Sequence, residues 1–174
     1  MNRADKENGL FRLIKNKRTC VFISYKKEDQ NIAILLGEFL TTKLNVDIYL
    51  DIFDVSLQEA VSVDNDKKIV ESIKEGLSCS NILLCIISDN TKLSWWVPYE
   101  IGLADNIGLQ IASIKTKAIA DFPSFLKTQK TINDFSELVK FILNNGRYGS
   151  LFYSNEKLNN ILQDGIGKLN EYFD

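Results

Sequence analysis

A tryptophan and a glutamate four residues apart, Trp96 and Glu100, are the residues of this sequence best placed to do chemistry together. In a helix this spacing puts both side chains on one stripe, so a carboxylate would lie one turn from a large aromatic face. The alternative is packing, with Trp95 and Trp96 in the core or at its rim and Glu100 a solvated helix residue. We take the stripe of Trp96 and Glu100 as the candidate site.

The absence of histidine limits what this site could do. It excludes Ser-His-Asp and Cys-His nucleophile systems, histidine-ligated zinc, and imidazole as a general base. Any chemistry must therefore rest on carboxylates, hydroxyls, lysines or backbone groups.

A helix is predicted to begin at Ser94 and to carry the candidate site. Serine is a favoured N-cap residue, and Pro98 falls in the first turn, where a missing amide hydrogen costs little. Val97, Ile101 and Ala104 repeat at helical spacing and should face the core.

Length and composition indicate one globular domain. The 174 residues are 45% hydrophobic and 25% charged, which is enough apolar material for a core. A formal charge of −2 and a pI near 5.3 give no strong positive field, so we expect neither nucleic acid nor an anionic membrane as a ligand. The charged leader at residues 1–17 lacks a signal peptide's apolar block, and no apolar run approaches the roughly 18 residues of a membrane span, which predicts a cytoplasmic protein.

The three cysteines, Cys20, Cys79 and Cys85, are expected to be reduced thiols. Their number is odd, and two of them lie in apolar runs typical of buried strands. No redox role is indicated.

Apolar runs and helical patterns alternate along the chain, which predicts a parallel sheet covered on both faces. The predicted strands cover residues 19–25, 46–50, 81–88 and 110–114, with a short further strand near Thr131. Helices are predicted from apolar faces that contain Ile32, Leu35, Leu36, Phe39 and Leu40, then Ile69, Val70, Ile73 and Leu77, then Leu138, Val139, Phe141 and Ile142. Asp134 and Glu137 resemble a capping box before the last of these, and Leu158, Ile161, Leu162 and Leu169 suggest a terminal helix.

Ligands of such sheets bind beyond the carboxyl ends of the strands. Ser24, Tyr25, Lys26, Asp51, Asp89 and the start of the Trp96 helix all belong to that edge.

The connection from Asp51 to Asp66 is predicted to be a long acidic loop. About fifteen residues without a regular pattern exceed the usual βα connection and are more often functional than accidental. Asp64, Asn65 and Asp66 lack the spacing, glycine and terminal glutamate of an EF-hand, so we predict no metal site.

Three motifs together resemble those of a Toll/interleukin-1 receptor (TIR) domain: VFISY at 21–25, IYLD at 48–51 and SxWVxxEI at 94–101. The resemblance covers residues 18–142. It implies an α/β flavodoxin-like TIR fold, with a central parallel sheet of about five strands and helices on both faces. Residues 18–174 would then be a single TIR domain with a C-terminal helical extension, and the connection after Asp51 would correspond to the family's BB loop.

The resemblance implies two classes of function. TIR enzymes cleave NAD⁺, and they carry a glutamate at the position that matches Glu100 and an aromatic residue at the position that matches Trp96. TIR adaptors are non-catalytic scaffolds that act by self-association or partner binding. By similarity, Ser24, Tyr25 and Lys26 would line the nucleotide pocket, and Asp51 with the following loop would form its lid. NAD⁺ would be the substrate, with no cofactor.

A stand-alone chain of this kind also resembles the TIR proteins of Thoeris antiphage defence. That likeness implies a cyclic ADP-ribose isomer that acts as a messenger for a separate effector protein.

The proposed chemistry suits the residues present. The nicotinamide of NAD⁺ is already a cationic leaving group, so no general acid has to protonate it and one carboxylate can suffice. Glu100 would hold the ribose hydroxyls and offset the charge that develops on the sugar, while Trp96 and Tyr25 would pack against a ring and exclude water. Capture by water, a ribose hydroxyl or the adenine decides between hydrolase and cyclase, and the sequence leaves this open.

Overall fold

Five parallel strands form a single sheet in the computed structural model, which describes residues 18–63, 65–117, 123–146, 159–162 and 167–173. The strands are β1 (Cys20–Ser24), β2 (Asp47–Tyr49), β3 (Ile82–Ile87), β4 (Gln110–Lys115) and β5 (Lys130–Ile132), in the spatial order β2-β1-β3-β4-β5. All the predicted strands are confirmed. The predicted leader at 1–17 and Leu158 of the predicted terminal helix lie outside the described residues.

Residues 159–162 are helical and lie within the predicted terminal helix. Five further α-helices accompany these strands in the described part of the chain. They are α1 (Gln30–Lys43), α2 (Val55–Ser62), α3 (Asp66–Ser78), α4 (Trp96–Asn106) and α5 (Phe135–Asn145). Short 3₁₀ segments cover Lys27–Asp29, Asp51–Phe53, Asn90–Leu93, Ser124–Thr128 and Gly167–Glu171. The last of these segments occupies part of the predicted terminal helix.

The helices cover both faces of the sheet, as expected for strands that are apolar throughout. Ile23 of β1 packs in one buried cluster with Leu36 of α1 and Leu138 of α5. Phe22, its neighbour in the strand, packs in the other cluster with Ile73 of α3. Every residue of β1 and of β3 is buried because successive side chains of a strand point to opposite, covered faces.

The predicted loop after Asp51 is wrong, because the 3₁₀ segment Asp51–Phe53 and helix α2 together occupy most of it. The carboxylate of Asp54 accepts a hydrogen bond from the backbone N–H of Leu57 at 3.2 Å and so caps the first turn. Leu57 is buried, and α2 packs against α3. The N-cap residue Asp54 and the buried Leu57 help to hold this helix, which is too short to produce a clear helical period in the sequence.

Other local predictions are confirmed. Asp134 accepts a hydrogen bond from the N–H of Glu137 at 2.8 Å, and the Glu137 carboxylate accepts one from the N–H of Asn133 at 2.9 Å. This reciprocal arrangement closes the start of α5. Cys20 and Cys85 are buried free thiols, and Cys79 is a half-buried one. Within the described residues no helix has the length and apolar character needed to cross a membrane.

Candidate active site

Helix α4 presents the candidate glutamate to the carboxyl edge of the sheet. The helix begins at Trp96 with Trp95 as its N-cap residue, two residues after the predicted start at Ser94. The hydroxyl of Ser94 nevertheless accepts a hydrogen bond from the N–H of Val97 at 3.2 Å, as a capping side chain does. Val97, Ile101 and Ala104 are buried as predicted. This face fixes the rotation of α4 and turns Glu100 toward the end of β1.

Glu100 is buried, with 8% of its surface exposed, so the alternative of a solvated helix residue is wrong. Its side chain leaves the helix toward Ser24, the last residue of β1, whose hydroxyl donates a hydrogen bond to Oε2 at 2.5 Å. Burial raises the pKa of Glu100 to about 8, although the Ser24 hydrogen bond acts in the opposite direction and the charge of Asp51 adds to the rise.

A second carboxylate, that of Asp51, lies at the same edge. The hydroxyl of Tyr25, directly after β1, donates a hydrogen bond to Oδ1 of Asp51 at 2.5 Å. Burial raises the pKa of Asp51, and the hydrogen bond from Tyr25 opposes that rise. Burial and the neighbouring charge of Asp51 raise the pKa of Tyr25, so its phenol remains a hydrogen-bond donor.

These groups meet at a cavity of about 270 Å³. Five of the six residues predicted for the site line it: Tyr25, Lys26, Asp51, Trp96 and Glu100. The sixth, Ser24, lies behind Glu100 as its hydrogen-bond partner. Asp89, also placed at this edge by the sequence, is exposed, pairs with Lys92 at 3.3 Å and does not line the cavity.

Several residues of the cavity wall were not predicted as site residues. They are Lys27, Gln30, Ile52, Leu57, Gln58, Val61, Ile69, Ile73 and Ser94. Leu57, Gln58 and Val61 belong to α2, the helix that replaced the predicted loop. Aspartate is a favoured N-cap residue, so Asp54 was the sequence feature that could have predicted helix α2 and with it this part of the cavity wall.

The structure distinguishes the two tryptophans. Trp96 lines the cavity, is 40% exposed and contacts the ring of Tyr99 edge to face, with centroids 5.9 Å apart. Trp95 is 91% exposed, so packing of Trp95 in the core or at its rim is wrong. Of the two tryptophans, Trp96 is the one that offers a ring to a ligand in the cavity.

A buried tyrosine holds the start of α2 in place. The hydroxyl of Tyr49 in β2 donates a hydrogen bond to Oδ2 of Asp54, and its ring stacks on Phe22 with centroids 5.0 Å apart. On the other side of these rings lies Gly76 of α3, where an added Cβ would come within 2.6 Å of the Tyr49 ring. This packing connects α3, β2 and the wall of the cavity.

Charge is distributed unevenly across the cavity. The buried carboxylate of Glu100 and the half-buried one of Asp51 contrast with Lys26, which is half-buried and pairs with Glu28 at 3.8 Å, and with the exposed Lys27. Glu100 is the most buried of these four groups and Lys27 the most exposed, while Asp51 and Lys26 are both half-buried. Within the described ranges, which leave out Asp64, no three acidic, cysteine or histidine residues lie close enough to hold a metal ion.

Comparisons with known proteins agree with this architecture. The family model for the TIR-like domain of the Thoeris protein ThsB matches residues 22–121, more than half of the chain. The crystal structure of the TIR domain of the Toll-related receptor TRR-2, from the lower metazoan Hydra magnipapillata, has a TM-score of 0.50 at 18% identity over 70% of this chain and 89% of that chain. At this identity the likeness shows the fold alone. No curated protein matches the chain.

A five-stranded parallel sheet in the order β2-β1-β3-β4-β5, with a cavity at its carboxyl edge, defines the flavodoxin-like fold of a TIR domain. The chain belongs to the family of the Thoeris ThsB TIR-like domain.

Proposed function

We propose that this protein cleaves the nicotinamide–ribose bond of NAD⁺ with Glu100 as the catalytic carboxylate. One observation carries the proposal: the Glu100 carboxylate is buried, held by Ser24 and open to a cavity that also contains the face of Trp96. A solvated carboxylate would be surrounded by water and would stabilise a developing cation far less.

The chemistry requires little more than this carboxylate. When the bond between the ribose and nicotinamide breaks, the electron pair leaves with nicotinamide and positive charge develops on the sugar. The anion of Glu100 stabilises that charge, and Trp96 packs against a ring of the substrate and keeps water away. Ser24 orients the carboxylate and stabilises its charged form.

The charge pattern of the cavity also matches this substrate. NAD⁺ carries a positive nicotinamide ring at one end and a negative diphosphate in its middle. The carboxylates of Asp51 and Glu100 suit the positive ring, and Lys26 and Lys27, which line the same cavity, suit the diphosphate.

We further propose that a second copy of the chain completes the site. A cavity of about 270 Å³ lies below the ~300 to 1,000 Å³ typical of pockets that enclose a whole ligand, so part of a dinucleotide would extend out of it. Exposed apolar side chains adjoin the residues that line the mouth: Phe53, Val61, Val63, Leu93, Trp95 and Trp96. Such a rim is typical of a surface that another protein covers.

Membership in the ThsB TIR-like family supports a role in antiphage defence inside the cell. In this proposal the product is a cyclic ADP-ribose isomer, which carries the signal to a separate effector protein. A non-catalytic scaffold is the second candidate function, since the exposed rim around Trp95 would serve it equally well.

Incubation of the purified protein with NAD⁺ and mass spectrometry of the products separates the two functions. We expect release of nicotinamide and an ADP-ribose product, with or without a phage-infected lysate as trigger, and none of either from Glu100→Gln. NAD⁺ that stays intact under all these conditions would favour the scaffold.

A further inference from the structure

Two carboxylates enter the cavity from opposite sides of β1. Asp51 follows β2, and the helix that carries Glu100 follows β3, while β1 lies between these two strands. Adjacent strands are spaced about 4.8 Å apart, so the elements that carry the two acids are separated by roughly 10 Å at the sheet edge. A pair of acids separated in this way leaves room for a sugar and an incoming acceptor between them.

The second half of the reaction needs a group that can take up a proton. Once nicotinamide has left, a hydroxyl that attacks the sugar carbon must lose its proton as the new C–O bond forms. Lysine ammonium groups cannot accept a proton, and the Tyr25 phenol is a donor that already points at Asp51. Of the described residues that line the cavity, this leaves the two carboxylates.

Glu100 is poorly placed for this second task. Its Oε2 accepts the Ser24 hydrogen bond, and in the proposed function its charge remains engaged with the sugar. The carboxylate of Asp51 is more exposed than that of Glu100. Hydrogen bonds from Tyr25 and from the backbone at Asp51 and Ile52 still leave acceptor capacity on a group with about four lone-pair sites. The charge of Asp51 contributes to the raised pKa of Glu100, so the two carboxylates lie close enough to interact.

We infer that Asp51 is a second catalytic residue, the general base that deprotonates the acceptor hydroxyl, with Tyr25 as the positioning residue that orients it. This inference rests on the proposed function. The carbon–nitrogen bond breaks with its electron pair on nicotinamide, and the hydroxyl oxygen of water or of a ribose forms the new carbon–oxygen bond. Its proton passes to Asp51, which later releases it to solvent.

If Asp51 is the general base, its replacement should reduce hydroxyl capture of the intermediate and spare capture by other nucleophiles. Without a base, the intermediate recombines with nicotinamide and returns to NAD⁺, so net turnover falls although the bond still opens. Isoquinoline and azide can capture the same intermediate without losing a proton. Asp51→Asn should therefore lose the products of hydroxyl capture while it keeps those of isoquinoline and azide.

The experiment measures both kinds of product from NAD⁺ in the presence of isoquinoline or azide. For Asp51→Asn we expect hydroxyl capture to fall at least tenfold, exchange with isoquinoline to stay within threefold of wild type, and azide to restore turnover at least tenfold. Asp51→Glu should recover part of the hydroxyl capture, since it keeps a carboxylate. Asp89→Asn, an exposed carboxylate at the same edge, should change neither product.

Each outcome decides the inference. An equal loss of both kinds of product in Asp51→Asn and Asp51→Glu, with unchanged melting temperature, would assign Asp51 to substrate binding and overturn it. Unchanged hydroxyl capture or no rescue by azide would also overturn it, while the proposed function would stand on wild-type cleavage. If the wild-type protein cleaves no NAD⁺, the proposed function itself is contradicted.

Discussion

The hydroxyl of Ser24 lies 2.5 Å from Oε2 of Glu100 and joins the last residue of β1 to the second turn of α4. Because β1 is buried along its whole length, this contact ties the carboxylate to one of the least mobile parts of the fold. A glutamate on a helix surface would sample several rotamers. Here the hydrogen bond to Ser24 at the end of β1 favours one of these rotamers.

Replacement of Glu100 by glutamine should abolish most activity and leave the fold intact. Glutamine has the same shape and its amide oxygen can still accept the Ser24 hydrogen bond, but it carries no charge to offset that of the sugar. We expect NAD⁺ turnover to fall at least about a hundredfold, or about 2.7 kcal/mol of transition-state stabilisation. Glu71→Gln, on the exposed side of α3, is the matched control and should retain full activity. Wild-type turnover in Glu100→Gln would show that the carboxylate is not catalytic.

Activity should rise with pH through the titration of Glu100. Only the ionised carboxylate can stabilise a cation, and the pKa of Glu100 in the free protein is raised to about 8, so kcat/KM should increase from about pH 6 and level off above about pH 9. Ser24→Ala removes a hydrogen bond that lowers this pKa and should move the profile to higher pH. Bound NAD⁺ brings a positive ring near the carboxylate, so the profile of kcat should lie at lower pH. A flat kcat/KM profile would contradict this assignment.

Stability should change with pH in the opposite direction. The pKa of Glu100 is raised on folding from 4.5 to about 8, so between these values the folded chain holds a proton that the unfolded chain has released. The free energy of unfolding of the wild type should therefore decrease as pH rises through this window, by up to about 1.4 kcal/mol per pH unit from this group. Glu100→Gln lacks the titration and should gain stability relative to wild type at high pH. Urea unfolding at several pH values measures the difference, and parallel profiles for the two proteins would contradict it.

The two tryptophans should respond differently to alanine. Trp96→Ala removes the ring that faces the cavity and should raise KM for NAD⁺ or divert the product from cyclic to linear ADP-ribose. Trp95→Ala removes an exposed ring and should change the free energy of unfolding by no more than about 0.5 kcal/mol. Steady-state kinetics, product analysis and urea unfolding test both variants. If Trp96→Ala has the same products and the same KM as the wild type, the ring of Trp96 contributes only to packing.

Specific activity should increase with protein concentration if a second copy completes the site. Leu93→Glu places a charge on the exposed apolar rim and should shift the concentration needed for half-maximal activity upward at least tenfold, without loss of the fold. Ile107→Glu, at the other end of α4, is also an exposed apolar position, does not line the cavity and serves as the control. Activity per molecule that stays constant from nanomolar to tens of micromolar protein would show that one chain carries a complete site.

The sequence predicts the sheet and the position of α4 well because both produce strong periodic signals. The strands around Ile23 and Leu84 are buried on both faces and appear as continuous apolar runs. Val97, Ile101 and Ala104 repeat at helical spacing because one side of α4 meets the core.

Sequence periodicity does not predict two other features, the burial of Glu100 and the presence of helix α2. The depth of Glu100 depends on its approach to Ser24, 76 positions away, and no local pattern reports such a contact. Helix α2 is held by Asp54, whose carboxylate accepts hydrogen bonds from the hydroxyl of Tyr49 and from the N–H of Leu57. The short apolar face of α2 borders the cavity as well as the core. Its outer positions include the exposed Val61, so the apolar period is lost.

The close approach of α3 to the stacked rings of Phe22 and Tyr49 has a consequence for sequence tolerance. An alanine at position 76 would bring its Cβ within 2.6 Å of the Tyr49 ring and 2.9 Å of the Phe22 ring, so the rings or the helix would have to move. Movement of Tyr49 would shift its hydroxyl away from Asp54, the cap on which α2 depends. A substitution at Gly76 would thus be transmitted through Tyr49 and Asp54 to the wall of a cavity that Gly76 does not line.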